Sequence, residues 1–437
     1  MYLLSMDFGT TSIKMGILTR DLELIKTAKA EYRYRVYNHN WVELDIEDVI
    51  AAMAEGLKNL SDYLEKVEIV VFDTFSPSVV IMDREGEALY PIITHLDRRS
   101  KKQMKYISRE IGVTEFQNIT GIKPFIGGAS VTSMLWLKEN EPSLFNKAYK
   151  IGHFNTYVYH LLTGIWVTDP VNASMTGLFE TIEGSGWSDT ICKTVGIPEQ
   201  KLPDIVKPGV IAGHLTRKAA QLTGLREGIP VAVGTNDAAA AQAGAGNTKA
   251  GDMLIVSGSS EMISILTDKA VVNDKYYLRR AAADGLWQIF AITASGLVID
   301  WFRREFYKEM DETTFYREAL PAAIRQYYGT KVRFAPYIAG DRQSLMQRTG
   351  AFTGLTLDST REDLLVSILV GIHKPIITVI EISGSFLELN NIIKLTGGMV
   401  DEAFIGLKKK VLKGYDFEVI YDCHLYGNAV LAMNQLK

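Results

Sequence analysis

Tyr2-Leu3-Leu4-Ser5-Met6-Asp7-Phe8-Gly9-Thr10-Thr11-Ser12-Ile13-Lys14 opens the chain, and a second apolar segment, Met15 to Leu18, follows directly. An apolar run, an Asp, a Gly, hydroxyl residues and another apolar run predict a strand, a tight turn and a returning strand. Gly9 is expected to supply turn geometry that residues with side chains resist. A turn of Gly9, Thr10, Thr11 and Ser12 presents backbone N–H groups and hydroxyls in one concavity, which suits phosphate oxygens. Asp7, at the end of the first strand, suits a hydrated Mg2+ beside those phosphates. The same residues also read as an ordinary hairpin with its polar tip in water, and this stretch alone does not separate the two.

Composition narrows the field. A chain of 437 residues is too long for one compact core, so two domains are expected. Hydrophobic content of 47% with 22% charged residues describes a soluble globular protein. A net charge of −4, from 47 Lys+Arg against 51 Asp+Glu, makes no case for a nucleic-acid partner. Cys192 and Cys423 lie far apart and lack metal-ligand spacing, so buried or free thiols in a reducing compartment are expected. The N-terminus enters a strand with no basic region and long apolar core before it, so no signal peptide is expected. No apolar run approaches the length needed to span a membrane. These features predict a cytoplasmic protein without membrane partners.

Strands and helices alternate along the first half, which predicts an α/β protein. Asp45-Ile46-Glu47-Asp48 puts acidic residues in the first turn of a helix, where the macrodipole favours them. Val67 to Asp73 is a nearly continuous apolar run, the mark of a strand buried on both faces. It opens into Thr74-Phe75-Ser76-Pro77-Ser78, a polar loop at a strand's C-terminal end, where open α/β sheets bind ligands. His95-Leu96-Asp97-Arg98-Arg99 ends another strand in a charged cluster. Asp97 and Arg99 fit either a solvated face or a cleft that binds hydroxyls or phosphate. His153 and His160 read as structural, since no acidic or metal-ligating neighbours accompany them.

Ile229 to Val233 is an apolar strand that delivers Gly234-Thr235-Asn236-Asp237, and Ala238 onward begins a helix. Asp237 therefore sits at a strand-to-helix junction, as a functional carboxylate or as a helix cap. The small residues after it allow close helix packing or the approach of a ligand. Asp252 to Ile265 repeats the opening pattern around Ser257-Gly258-Ser259-Ser260. Two such hairpins in separate halves suggest duplicated domains facing each other across a nucleotide. Ile392 to Val400 is a strand ending in Gly397 and Gly398, which leaves room for a flat ring or ribose against the backbone, or is a plain turn into a helix.

In order and spacing these segments resemble the FGGY carbohydrate kinases, members of the actin-like, ribonuclease-H-like ATPase clan, over almost the whole chain. Asp7-Phe8-Gly9-Thr10-Thr11-Ser12 looks like the family's first phosphate motif. Ser257-Gly258-Ser259-Ser260 resembles the second, where Gly-Thr-Ser is usual. Gly234 to Asp237 matches the segment with the catalytic aspartate, and Thr396-Gly397-Gly398 the adenosine motif. Gly128 to Asn140 follows one family signature, with Ser133 where Lys is expected. Gly350 to Leu369 follows the second, with Val370 where an acidic residue is usual. Pro336 to Arg342 resembles a segment that normally reads Gly-Glu-Arg.

The resemblance implies two ribonuclease-H-like domains, 1–246 and 247–437, with the active site in the cleft between them. It implies ATP and Mg2+ as cofactors, a small-molecule sugar as partner, and a homodimer as is common among similar proteins. ATP would meet Asp7, Gly9, Thr10, Thr11, Ser12 and Lys14 in one domain, and Gly258, Ser259, Ser260, Gly397, Gly398 and Met399 in the other. Asp7 and Asp237 would serve the metal. Ser76, Pro77, Ser78, Asp97, Arg99, Asn236 and Asp237 would meet the acceptor. A kinase must take the proton of an alcohol whose pKa lies far above neutrality, and Asp237 is the expected base. The acceptor loop matches neither the Arg-Glu of glycerol kinases nor the Met-His of many pentulose kinases. A ketose, and among ketoses a pentulose, is the expected acceptor, with gluconate, glycerol or other polyols and deoxy-ketohexoses as alternatives. A non-catalytic sugar- or ATP-binding protein of the same clan is the alternative class.

Overall fold

The computed structural model describes residues 2–38, 40–327, 329–338, 340, 345 and 348–434. Ala339, Asp341 and Arg342 of the Gly-Glu-Arg-like segment lie outside the described residues. The chain divides into two units: residues 1–246, 278–287 and 422–437 form the first, and 247–277 with 288–421 the second.

In the first unit the strands Tyr2–Phe8 and Ser12–Thr19 form the expected antiparallel hairpin, with Asp7 opposite Lys14. Val67–Thr74 pairs parallel with the first strand and places Asp73 beside Asp7. Its residues are buried throughout except Glu68, as an apolar run between two covered faces requires. The sheet order runs Ile211–His214, Pro230–Ala232, Val67–Thr74, Tyr2–Phe8, Ser12–Thr19, Leu24–Glu31, and Thr235–Asn236 adds to the end of Val67–Thr74. The acidic cluster at 45–48 does start a helix, Ile46–Lys58, capped by the Asp45 carboxylate, which accepts from Glu47 N at 3.1 Å.

A single cut at residue 246 does not describe the division, because residues 278–287 and 422–437 return to the first unit. The physical reason lies in glycine. The helices Asp237–Gly244 and Cys423–Met433 meet backbone to backbone, so that a Cβ on Gly427 would stand 1.8 Å from Ala240 O and one on Gly244 1.8 Å from Cys423 O. The small residues after Asp237 thus serve close packing, which binds the chain's last helix to its first domain.

In the second unit Met253–Ser257 and Ser260–Thr267 repeat the hairpin, with Ser257 opposite Glu261. Trp287–Ala294, Ser260–Thr267, Met253–Ser257, Ile392–Gly397 and Asp416–Val419 lie side by side in that order. Arg361–Gly384 corrects one expectation from sequence: it is a helix of 24 residues, long and apolar enough by length and composition to cross a membrane. Most of its apolar stretch is buried in the protein, as in a core helix. Cys192 and Cys423 are both buried, and neither is in a disulfide.

Candidate functional site

In the first hairpin the turn closes through Gly9 N, which donates to Ser12 O at 3.0 Å. Gly9 does not hold a left-handed φ, contrary to the expectation from sequence. Its constraint is space, since a Cβ there would stand 3.2 Å from Ser12 O. The buried Tyr32 braces the tip from behind: its hydroxyl donates to Gly9 O and to Ser12 O. Gly9, Thr10 and Ser12 are half-buried and Thr11 is exposed, so the turn's hydroxyls and amides border solvent. Lys14 forms an ion pair with Asp422.

Around Asp7 the fold gathers acids from separate segments. Asp73 is fully buried, and its Oδ2 accepts from Asn428 Nδ2 at 2.6 Å. Burial pushes the Asp73 carboxyl well above the usual carboxylate range, and the charges of Asp7 and Asp237 push it further. Its Oδ1 has no protein partner. His424 Nδ1 lies 3.8 Å from Asp7 Oδ2.

Asp237 is the first residue of its helix, and the cap is its neighbour: Asn236 Oδ1 accepts from Ala238 N at 3.1 Å. The half-buried Asp237 also accepts from Ala238 N, at 2.7 Å. Burial raises its carboxyl above the ordinary range, and the His424 and Arg279 charges work against that rise. Arg279 is itself buried, which lowers its guanidinium to about 10 against the pull of Asp237 and Asp169. Asp169, fully buried, is raised to about 6 by burial. A base beside a fixed cation, at a helix N-terminus, can accept a hydroxyl proton while the helix dipole favours its charged form.

The loop after Val67–Thr74 offers one accessible hydroxyl. Ser76 is half-buried, whereas Pro77 and Ser78 are buried. Ser78 Oγ donates to Phe75 O at 3.1 Å and accepts from Phe154 N at 3.2 Å, so it supports the loop from inside. Asp97 and Arg99 are enclosed as well. Asp97 accepts from Val42 N at 2.7 Å and from Arg99 at 2.7–2.9 Å. The Arg99 guanidinium adds Glu43 at 2.7 Å and lies over the rings of Trp41 and Trp136. A guanidinium with these partners is a buried strut, and its hydrogen-bonding capacity is used within the domain.

In the second unit the tip at Gly258 and Ser259 is stitched to two other segments. Gly296 N donates to Gly258 O at 3.0 Å, and Ser295 N and Leu297 N both donate to Ser259 O at 3.1 Å. Met399 N donates to Ser257 O at 3.1 Å. Gly397 has φ +108°, and a Cβ there would stand 2.2 Å from Ser257 O, so glycine at 397 is a backbone requirement. Gly398 has open space where a Cβ would lie. Below the hairpin the buried Glu261 accepts from Lys408 Nζ at 2.8 Å. Burial works to raise its carboxyl, and Lys408 with His373 outweighs burial and holds it below the usual range.

Sequence reading missed Asp73, Asp169, Arg279, Asn428, His424 and the Ser295-Gly296 turn. Only the last carried a local signal, a strand running into Ser-Gly at a helix start.

Among the described residues no group of three or more His, Cys, Asp or Glu forms a cage for a metal ion. Mg2+ does not need one, since it keeps several waters and binds through one or two carboxylates plus phosphates. Asp7, Asp237 and the unpartnered Asp73 Oδ1 are hard oxygen donors of the fitting kind.

Residues 2–244 match the FGGY family of carbohydrate kinases, N-terminal domain. A xylulose kinase of Staphylococcus xylosus is 22% identical over 418 residues, covering 94% of this chain and 86% of the relative. A gluconokinase of Bacillus subtilis is 25% identical over 391 residues, covering 86% and 76%. The crystal structure of xylulose kinase from Rhodospirillum rubrum has the same fold, with a TM-score of 0.89 at 22% identity over 100% of this chain and 90% of that one.

Proposed function

The chain belongs to the FGGY family of carbohydrate kinases, and from that premise we propose that it moves the γ-phosphoryl group of ATP to the terminal primary hydroxyl of a pentulose such as xylulose or ribulose. The observation that carries the reading is Asp237, half-buried at a helix N-terminus, in one domain with the Asp7 hairpin and the Ser76 loop. Xylulose kinases recur among the relatives, which favours a pentulose. An aldonate such as gluconate is the second reading. The gluconokinases among the relatives favour it.

Asp237 would accept the hydroxyl proton as the acceptor oxygen meets the γ-phosphorus. The transition state is loose, so the remaining groups position reactants and offset spreading charge. Thr10, Thr11, Ser12 and the turn amides would hold phosphate oxygens, with Asp7 and Asp237 as ligands of Mg2+. When bound, that ion offsets phosphate charge. Gly258, Ser259, Gly397, Gly398 and Met399 would hold the nucleotide on the second domain. Lys14, Asp97 and Arg99 act through ion pairs that shape the site. A cytoplasmic location, in keeping with the buried thiols, and a homodimeric assembly are part of the proposal.

A coupled ADP-release screen over xylulose, ribulose, fuculose, gluconate and glycerol tests the reading. ADP release that rises several-fold with a ketose supports it. Release that is the same with and without every acceptor overturns it.

A further inference from the structure

We propose that His153 is a positioning residue for the acceptor: it fixes the Ser76 hydroxyl, and through it the recognition of one acceptor oxygen. The inference rests on the reading of Ser76-Pro77-Ser78 as the acceptor loop. His153 ends the strand Lys150–His153, which pairs with Ser78–Met82 so that His153 stands opposite Val79. The ring is 1% exposed. Its Nδ1 lies 3.3 Å from Ser76 Oγ and its Nε2 lies 2.7 Å from Ser130 Oγ.

A ring between two hydroxyls ties their proton positions together. If Ser130 donates to Nε2, Nδ1–H donates to Ser76, and the Ser76 proton is left to donate to an acceptor oxygen. The opposite tautomer leaves Ser76 only as an acceptor of a hydroxyl proton. Burial lowers the His153 pKa to about 3, so the ring stays neutral and bridges rather than repels. Ser130 is buried, so the bridge has a single outlet, the half-buried Ser76.

The bridge is also joined to the base. Asn172 lies near His153, and its amide donates to Asp169 Oδ1 at 2.5 Å. Asp169 Oδ2 in turn accepts from Thr235 Oγ1 at 2.8 Å, two residues before Asp237. A buried run of polar side chains thus connects the acceptor loop with the strand that presents the catalytic carboxylate, all within one domain.

His153→Asn and His153→Gln separate the two ends of the bridge, since an Asn amide stands near Nδ1 and a Gln amide near Nε2. Steady-state kinetics use the acceptor with the highest ADP release in the screen, with thermal unfolding run alongside. His153→Gln should raise acceptor KM about 2–10-fold, the loss of one hydrogen bond, while KM for ATP stays unchanged. His153→Asn should restore acceptor KM. Ser76→Ala should match His153→Gln, and the double variant should be no worse than either alone. Equal effects of Asn and Gln, or multiplying effects in the double variant, would overturn the role of His153. An unchanged acceptor KM in Ser76→Ala would instead remove the acceptor-loop reading on which the proposal stands.

Discussion

The two hairpins share one scaffold and differ in what their strands carry. In the first, Asp7 is the last residue but one of the leading strand, Lys14 stands opposite it, and Asp73 lies beside it on the parallel neighbour. In the second, counted back from its turn glycine Gly258 as Asp7 is from Gly9, those three places hold Val256, Met262 and Thr396. The acid has become a valine, the cross-strand base a methionine, and the flanking acid a threonine. The first arrangement concentrates carboxylates and suits a metal and proton transfer. The second carries no charge at those places, and the glycines at its turn end, Gly258 and Gly397, suit backbone contact with a nucleotide. Each cross-strand charge finds a partner on a helix or turn elsewhere in its own unit: Lys14 with Asp422, Glu261 with Lys408. The pairs differ in depth, since the Lys408 and Glu261 side chains are 1% and 3% exposed and those of Lys14 and Asp422 39% and 31%.

That difference in depth sets the largest expected effect on stability. Lys408→Met leaves Glu261 buried without its cation and should cost about 3–5 kcal/mol. Hydrogen exchange would show it as lost amide protection in Met253–Ser257 and Ser260–Thr267, with the first hairpin unchanged. Gly397→Ala combines a strained φ with a backbone clash and should cost at least about 1–3 kcal/mol, seen in the same strands. Tyr32→Phe removes the brace on the first turn and should cost about 1 kcal/mol, read as faster exchange at Gly9 and Tyr32. Lys14→Met breaks a half-exposed pair and should cost under about 1 kcal/mol, an effect that 1 M salt abolishes in the parent protein. If Lys14→Met and Lys408→Met cost the same, burial does not separate the two hairpins.

Both hairpins were legible because their signal is local: apolar runs flanking a Gly and hydroxyls within a dozen residues. Asp237 was legible for the same reason, at a strand-to-helix junction. The cap reading there fell to Asn236, one residue away. Asp97 and Arg99 had the look of a cleft because sequence does not show Glu43, Trp41 and Trp136 closing over them. Asp73 looked like the end of a buried strand until the parallel register set it beside Asp7. Arg279, Asn428 and His424 come from late segments that return to the first unit, so no local pattern announces them. Histidine 153 was read as structural for want of acidic neighbours, and its partners turned out to be two hydroxyls.

The central claim is that the first domain carries the proton chemistry and the second the nucleotide. Asp237→Asn tests it with two readings on one protein: turnover on the best acceptor of the screen, and ATP affinity by calorimetry. The account predicts a kcat lower by about 10²–10⁴-fold with ATP affinity within about threefold. Turnover at the parent rate, or a loss explained wholly by weaker ATP binding, would contradict it.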